Sequence, residues 1–244
     1  MDDMNTTTPT DAALLQRIAA LETDLAQLRR RVTAAEDTEL INKLTRAYGY
    51  YLDKALWDEL LPLFTDDCEV EISALGVYVG RAQLERLFKQ FLGRGPARSG
   101  PHGLVWGQLY NHMMVQGIVH VDDDGRKAQG RWRSFMQLAE FGKYGRWGEG
   151  VETFAYEKND AGQWRISRMH FYRTFHTPYE ESWATATSPR GGMLQDCPPD
   201  RPPTESYDPW PGVYIPPFHY PNPITGRAWT PVPPARQEDR SAAP

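Results

Sequence analysis

Apolar side chains near the N-terminus follow a heptad spacing. They recur at alternating steps of four and three residues, at Leu14, Ile18, Leu21, Leu25, Leu28 and Val32. This pattern predicts a helix over residues 11–36 that either forms a short coiled coil or packs as one stripe against its own subunit. With Leu at the d positions and Ile18, Leu25 and Val32 at the a positions, the seam suits a dimer. The polar residues 1–10 are expected to be disordered.

Further helices alternate with short strands in the next part of the chain. One helical pattern covers residues 40–52, and a second, ALWDELLPLF, ends near Thr65. Residues 68–73 and the short segment before Gly80 alternate as strands do, and another helix follows up to about Leu92.

The central region predicts an antiparallel sheet that begins after a loop over 93–103. Apolar and polar residues alternate there, with interruptions at turn sequences such as Asp123-Asp124-Gly125. The five predicted strands cover 104–113, 115–122, 128–141, 149–157 and 163–175. Helices followed by antiparallel strands indicate the α+β class.

The composition changes after Thr177. Sixteen of the 20 prolines lie between residues 177 and 244, where they alternate with aromatic residues. Proline is excluded from central strands and helix interiors, and disordered tails are normally poor in aromatics. We therefore predict an extended segment over 179–244 that wraps over the core or over a neighbouring subunit. A flexible or proline-rich docking tail is the alternative.

Charge and cysteine content limit the expected binding partners and cellular compartment of the protein. The net charge is −5 and the basic residues form no stripe, so no nucleic-acid partner is expected. Cys68 and Cys197 fit neither a metal site nor a disulfide framework, which favours a reducing compartment. The sequence has no apolar run of about 18 residues and no signal-peptide pattern, so we expect a cytoplasmic protein without a membrane partner.

Two residues stand out as candidates for acid–base chemistry. His112 lies in the apolar string LVWGQLYNHMMV, as either a hydrogen-bonded core histidine or a group that exchanges a proton near neutral pH. Asp53 lies between two helical patterns, as either the N-cap of ALWDELLPLF or a catalytic carboxylate. Tyr48 would line the same cavity if its helix bends at Gly49.

The last predicted strand carries an arginine among apolar neighbours. Arg173 shares the odd-numbered face with Met169 and Phe171, whereas His170 and His176 share the even-numbered face. An arginine in such surroundings needs an anionic partner or a wet cavity. The alternation leaves open which face is interior.

These residues stand in segments that resemble the SnoaL-like branch of the nuclear transport factor 2-like superfamily. Segment 47–72 resembles the opening of bile-acid 7α-dehydratases and hexachlorocyclohexane dehydrochlorinases, which have a catalytic aspartate at the position of Asp53. His112 matches the catalytic histidine of the family pattern HxxxNxxIxVDGD. This chain departs from that pattern at two places: Gln116 stands where the family has asparagine, and DDDG stands where the family has the DGD turn.

The resemblance, which covers residues 36–178 and extends to scytalone dehydratase, ends with the GxWxI strand in segment 159–178. In the bile-acid enzymes a tyrosine matches Tyr48, and an arginine that lines the site matches Arg173. The implied fold is a cone-shaped α+β barrel, a curved antiparallel sheet wrapped on helices, over residues 37–178.

The implied activity is that of a cofactor-independent lyase. Asp53 would orient His112 as the base, while Tyr48 or Arg173 assists the departing group, and neither a metal nor an organic cofactor is expected. The aromatic tail resembles that of lyases that release formaldehyde from lignin-derived diarylpropanes. We therefore expect a bulky aryl alcohol from aromatic compound catabolism as substrate, and water or formaldehyde as the molecule released.

The predicted substrate-binding wall is apolar and aromatic, and it comprises Tyr51, Trp57, Tyr110, Met114, Trp132, Phe135, Met169 and Phe171. Alternatives are a steroid or bile-acid-type dehydratase, an isomerase or cyclase of the same fold, an oxygenase subunit, and a non-catalytic ligand-binding module. A homo-oligomer is expected; the resemblance favours a homotrimer and the heptad seam a dimer.

Overall fold

A computed structural model describes residues 10–92, 99, 100 and 103–233 of the chain. The predicted disorder of residues 1–10 lies, Thr10 excepted, outside these residues, as does most of the predicted loop over 93–103. The helical elements are α1 (Asp11–Asp53), α2 (Trp57–Leu60), the 3-10 turns Leu61–Leu63 and Ser73–Leu75, and α3 (Arg81–Glu85), which continues as a π-helical segment, Arg86–Leu92. The strands are β1 (Phe64–Ile72), β2 (Val77–Val79), β3 (Ser99–Gly100), β4 (Gly103–Leu104), β5 (Gln108–Val121), β6 (Lys127–Glu140), β7 (Tyr144–Lys158) and β8 (Trp164–Pro178).

Helix α1 joins the first two predicted helices into one element of 43 residues, about 65 Å long. No proline interrupts it, and it continues through Gly49 as one helix. Its residues 11–36 are exposed throughout, whereas buried side chains recur from Asp37 to Asp53 on one face. The helix therefore has a free N-terminal part and a C-terminal part that packs on the sheet.

Six strands form one curved sheet in the order β2-β1-β8-β7-β6-β5, and the α+β class is confirmed. The outermost strands, β2 and β5, do not pair with each other, so the expected cone of a curved sheet wrapped on helices is present and the sheet does not close into a complete barrel. All pairs are antiparallel except β1 with β8, which is parallel. Strands β3 and β4 pair separately.

A bulge in β5 changes which residues face the helix. The predicted strands 104–113 and 115–122 are one strand, whose register with β6 shifts between Val115 and Ile118. Gln116 has φ 55° at this point, in the left-handed region where asparagine is favoured over most residues. Because the extra residue reverses the alternation, His120 lies on the outer face although it has the same sequence parity as His112.

The core lies between α1 and the inner face of the sheet. Tyr48 of α1 contacts the rings of Phe64 and Phe154 edge-on, and its neighbour Thr45 hydrogen-bonds the Tyr156 hydroxyl at 2.6 Å. Fully buried aromatic residues of this size contribute strongly to stability.

A buried carboxylate fixes the point at which α1 enters the core. Asp37, 4 % exposed, accepts hydrogen bonds from Lys158 Nζ at 2.7 Å and from Trp164 Nε1 at 2.9 Å. Both donors belong to the β7–β8 hairpin, so this interaction sets the helix against the sheet.

Residues 179–233 run as an extended tail over the outer face of the sheet of their own chain. The Tyr78 hydroxyl donates to the Cys197 carbonyl at 2.7 Å, and the Thr204 hydroxyl donates to Glu71 Oε2 at 2.7 Å. Arg131 Nη1 donates to the carbonyl of residue 217 at 2.8 Å. These bonds explain how a proline-rich segment stays ordered without helix or sheet.

Both cysteines are buried and unpaired. Within the described ranges, none of the helices combines the length and the apolarity that crossing a membrane requires.

Candidate active site

A cavity of about 270 Å³ lies between α1, the π-helical segment and the inner face of the sheet. Its apolar wall consists of Leu52, Ile72, Leu75, Phe88, Phe91, Leu92, Met136, Leu138, Met169 and Phe171. Six polar side chains also line it, namely Tyr48, Tyr110, His112, Glu152, Arg173 and His176. An apolar pocket with a few convergent polar groups is typical of small-molecule sites.

The predicted pair of His112 and Asp53 lies close together, and His112 is the member that lines the cavity. His112 Nδ1 lies 3.5 Å from Asp53 Oδ1, and the two residues are 7 % and 8 % exposed. The same carboxylate oxygen accepts a short hydrogen bond from the backbone N–H of His112. Asp53, the last residue of α1, thus ties the end of the helix to β5.

Local structure explains this approach and removes the alternative reading of Asp53. A Cβ added at Gly49 would lie 2.8 Å from Met114 Cγ, so glycine lets α1 pack closely on β5. Asp53 ends α1, whereas Leu56 is the N-cap of α2 and makes no side-chain cap. The carboxylate therefore serves the contact with His112 rather than a helix cap.

Two phenols line the cavity together with the imidazole. The ring of Tyr110 contacts the His112 ring edge-on at 4.4 Å, and Tyr48 lies 2 % exposed on α1. Burial first, and then the charge of nearby Glu152, raise the pKa of Tyr48 well above its ordinary value. Burial likewise raises the pKa of Tyr110. Both phenols stay protonated near neutral pH and can donate hydrogen bonds into the cavity.

Glu152 is a cavity carboxylate that we did not select from the sequence. It is 3 % exposed, and its Oε2 has no hydrogen-bond partner among the described residues. Burial raises the pKa of Glu152 to about 7, a rise that the Ser134 hydroxyl opposes. At neutral pH the group is therefore able to give or take a proton. The sequence does carry a signal for its inward position, because Glu152 shares one face of a strand with Gly150 and Phe154.

Arg173 and His176 line the cavity from the last part of β8. Arg173 Nη1 donates to the carbonyl of Pro189 at 2.9 Å, so the tail contacts this side chain. Burial lowers the pKa of Arg173, and burial followed by the charge of Arg173 lowers the pKa of His176 to about 4. His176 is therefore a neutral imidazole at physiological pH.

Strand irregularities explain why the simple alternation missed His176. Arg173, Met169 and Phe171 face the interior, which settles the question that the sequence left open. A register shift between β7 and β8 at Glu149/Gly150 then brings His176 to the same face. His170 does not line the cavity; it is 2 % exposed and its ring stacks on Tyr172 with centroids 3.7 Å apart.

Five residues that we predicted in the substrate wall are not among those that line the cavity. Trp57 packs on Phe88 with ring centroids 5.4 Å apart, and Phe135 packs on Trp147 of the outer face at 5.6 Å. Trp132 lies over Gly117, at the β5 bulge.

The other two, Met114 and Tyr51, pack where α1 meets the core: Met114 lies beneath Gly49, and Tyr51 packs against the core cluster. Packing outside the cavity, in the core or, for Phe135, on the outer face, therefore accounts for these five aromatic and sulfur-containing side chains. Among the described side chains, no three His, Cys, Asp or Glu residues form a group suited to a metal ion.

Comparison with known proteins gives the same fold. A family model described as a SnoaL-like domain matches residues 33–170, whereas no curated protein matches the chain. A solved NTF2-like protein with a cystatin-like fold from Novosphingobium aromaticivorans is 22 % identical, with a TM-score of 0.50 over 66 % of this chain and 93 % of that chain.

Two further structures agree. A scytalone dehydratase-like protein from the same organism is 22 % identical, with a TM-score of 0.50 over 67 % of this chain and 99 % of that one. LinA is 19 % identical, with a TM-score of 0.53 over 63 % of this chain and 96 % of its own. About a third of this chain thus has no counterpart in these neighbours. Because the family model spans more than half of the 244 residues, the chain belongs to the SnoaL-like family.

Proposed function

We propose that this chain is a lyase that uses His112 and Asp53 as an acid–base pair on a hydrophobic aryl alcohol. The SnoaL-like domain and its cavity support a small-molecule enzyme or a ligand-binding module. The observation that carries the step to an enzyme is that His112, which lines the cavity, has its Nδ1 3.5 Å from the buried carboxylate of Asp53. A binding module has no need of such a pair beside a second buried carboxyl group, that of Glu152, whose Oε2 has no hydrogen-bond partner among the described residues.

Asp53 is proposed as the positioning residue and His112 as the base. The carboxylate faces Nδ1, which leaves Nε2 of the imidazole to accept a proton from the substrate. Asp53 would then stabilise the imidazolium that forms, because opposite charges in a poorly solvated site interact strongly. Proton transfer by a positioned side chain contributes about 10²–10⁴-fold to a rate.

The departing oxygen needs a proton donor, and the cavity offers two. Glu152, with a pKa of about 7, is partly protonated near neutral pH, and Tyr48 is a fully protonated phenol. In a dehydration, His112 removes a C–H proton, the C–O bond breaks, and Glu152 or Tyr48 protonates the hydroxide to give water. Arg173, a cation on the same wall, would stabilise negative charge on the substrate.

The same groups would support loss of formaldehyde from a substrate with a hydroxymethyl group beside a benzylic alcohol. His112 removes the hydroxyl proton, the C–C bond breaks, and formaldehyde leaves. The electron pair of that bond forms an alkene and expels the benzylic hydroxide, which the acid converts into water. A lignin-derived diarylpropane diol has this arrangement, and we propose that class of substrate.

The chemistry of the cavity wall supports an aromatic ligand. A volume of about 270 Å³ lies near the lower end of the roughly 300–1,000 Å³ that small-molecule pockets cover. Phe88, Phe91 and Phe171 supply ring faces and edges for stacking. The proposed reaction consists of proton transfers and bond cleavage, which the side chains of this cavity can perform themselves.

One observation favours an isomerase or cyclase as the second candidate. Two acid–base groups, His112 and Glu152, line one cavity, and moving a proton between two substrate atoms needs such a pair. An isomerase or cyclase releases no second molecule, so product analysis separates the two candidates.

The test is to incubate the full chain with aryl diols and aryl alcohols and to quantify alkene and formaldehyde. A lyase forms alkene in step with water or formaldehyde. A rearranged product of unchanged mass would indicate the second candidate instead. Tight binding without turnover, with affinity altered by His112→Ala, would identify a binding module and refute the proposal.

A further inference from the structure

The N-terminal part of α1 exposes an apolar seam. Residues 11–36 project beyond the packed domain and are exposed throughout. The seam residues are between 43 % and 59 % exposed, namely Leu14, Ile18, Leu21, Leu25, Leu28 and Val32. Helices in proteins are stabilised mainly by packing of their apolar face, and the apolar face of this part of α1 stays exposed among the residues that the structure describes.

We propose that residues 11–36 form a parallel, two-stranded coiled coil with a second copy of this chain. The charges at the g and e positions beside the seam indicate which helix packs on it. In a parallel pair, each g residue faces the e residue five positions further along the partner. The g positions are Arg17, Asp24 and Arg31, and the matching e positions are Glu22, Arg29 and Glu36.

All three of these contacts join opposite charges. Arg17 meets Glu22, Asp24 meets Arg29, and Arg31 meets Glu36, each of them twice in a symmetric dimer. This agreement over the whole seam is what a parallel, in-register partner of identical sequence requires.

An antiparallel pair over the same seam would bring like charges together. Its g positions would face each other, so Arg17 would meet Arg31 and Asp24 would meet its own copy. Its e positions would place Glu22 against Glu22. The seam charges therefore select the parallel orientation and disfavour the antiparallel one.

The seam residues themselves indicate two strands. Ile18 and Val32 are β-branched residues at a positions, and every d position of the seam is leucine. This combination favours dimers, whereas Ile at both positions or Leu at a with Ile at d favours larger assemblies. The homotrimer that the family resemblance implied is thus not the assembly that this segment specifies.

Sedimentation of the full chain tests the assembly. We expect about 56 kDa, twice the chain mass of 27.9 kDa, at micromolar concentration. Leu21→Glu combined with Leu28→Glu should give a monomer with an unchanged packed domain, because both residues are exposed in the single chain. Ala20→Glu combined with Gln27→Glu adds the same charge at c positions of the same two heptads and should leave the dimer intact.

Orientation is tested by a cysteine at a d position. Leu28→Cys should cross-link the two chains quantitatively on mild oxidation, since parallel registration places both copies of residue 28 in one layer. The native Cys68 and Cys197 are buried and supply the unreactive background. A monomeric or trimeric wild type, a dimer that survives the Leu21/Leu28 double variant, or absence of the cross-link would each overturn the proposal.

Discussion

Replacing Glu152 by glutamine should change stability in a strongly pH-dependent way. Burial raises the pKa of Glu152 from 4.5 to about 7 in the folded protein, whereas the unfolded chain has the ordinary value. The folded state therefore keeps its proton over a range in which the unfolded state has lost it. The free energy of unfolding falls as pH rises from 4.5 to about 7, and below 4.5 this contribution is absent.

The structure sets the magnitude. A tenfold change in proton affinity corresponds to about 1.4 kcal/mol, so the pKa change corresponds to about 3 kcal/mol above pH 7 as an upper value. Glu152→Gln keeps the shape and removes the charge. Above pH 7, the free energy of unfolding of the variant should exceed that of wild type by up to about 3 kcal/mol. Below pH 4.5, this difference should disappear.

Urea unfolding at one pH above 7 and one below 4.5 provides the assay, with the slope m compared between proteins. The control is Glu157→Gln on the same strand, at a side chain that is 46 % exposed and should show little difference between the two conditions. If the effect of Glu152→Gln is the same at both pH values, the buried carboxyl group does not titrate as argued here.

Three further substitutions test separate parts of the account. Asp53→Asn should reduce turnover by at least about tenfold with a small change in melting temperature, because the amide oxygen can still accept the backbone bond; a loss of stability alone would indicate a structural role. Gly117→Ala should lower the free energy of unfolding by about 1–3 kcal/mol, because the added Cβ would lie 2.4–2.7 Å from carbons of Trp132. Gly192→Ala, where a Cβ meets open space, should leave the free energy of unfolding unchanged in the same urea assay. Asp37→Ala should cost about 3–5 kcal/mol in thermal or urea unfolding, because it strands a lysine that is 16 % exposed; an unchanged midpoint would contradict the role given to that carboxylate.

His112 and Asp53 could be predicted from the sequence because two local patterns place them on a strand and a helix. Apolar alternation located β5 and helical spacing located α1, and the family resemblance linked them. The contact itself depends on Gly49, whose missing Cβ allows the helix to approach β5. That effect is tertiary, and helical spacing alone does not indicate it.

The remaining differences come from bulges and from core packing. Each bulge reverses the two-residue alternation, which is why His120 lies outside and His176 inside against simple parity. Aromatic side chains such as Trp57 and Trp132 satisfy a core and a cavity equally well on sequence grounds, and only packing decides between them. Glu152 was missed because a glutamate is rarely fully buried, and only the face that it shares with Gly150 and Phe154 indicates the interior.

The most direct measurement of the central claim compares turnover by His112→Ala and His120→Ala on the same aryl alcohol. Both variants remove an imidazole from β5, but His112 lines the cavity, while His120 lies on the outer face and contacts His219 at 2.9 Å. The account predicts that kcat falls by at least about 10²-fold in His112→Ala and stays near wild type in His120→Ala. Normal turnover by a folded His112→Ala protein would contradict it.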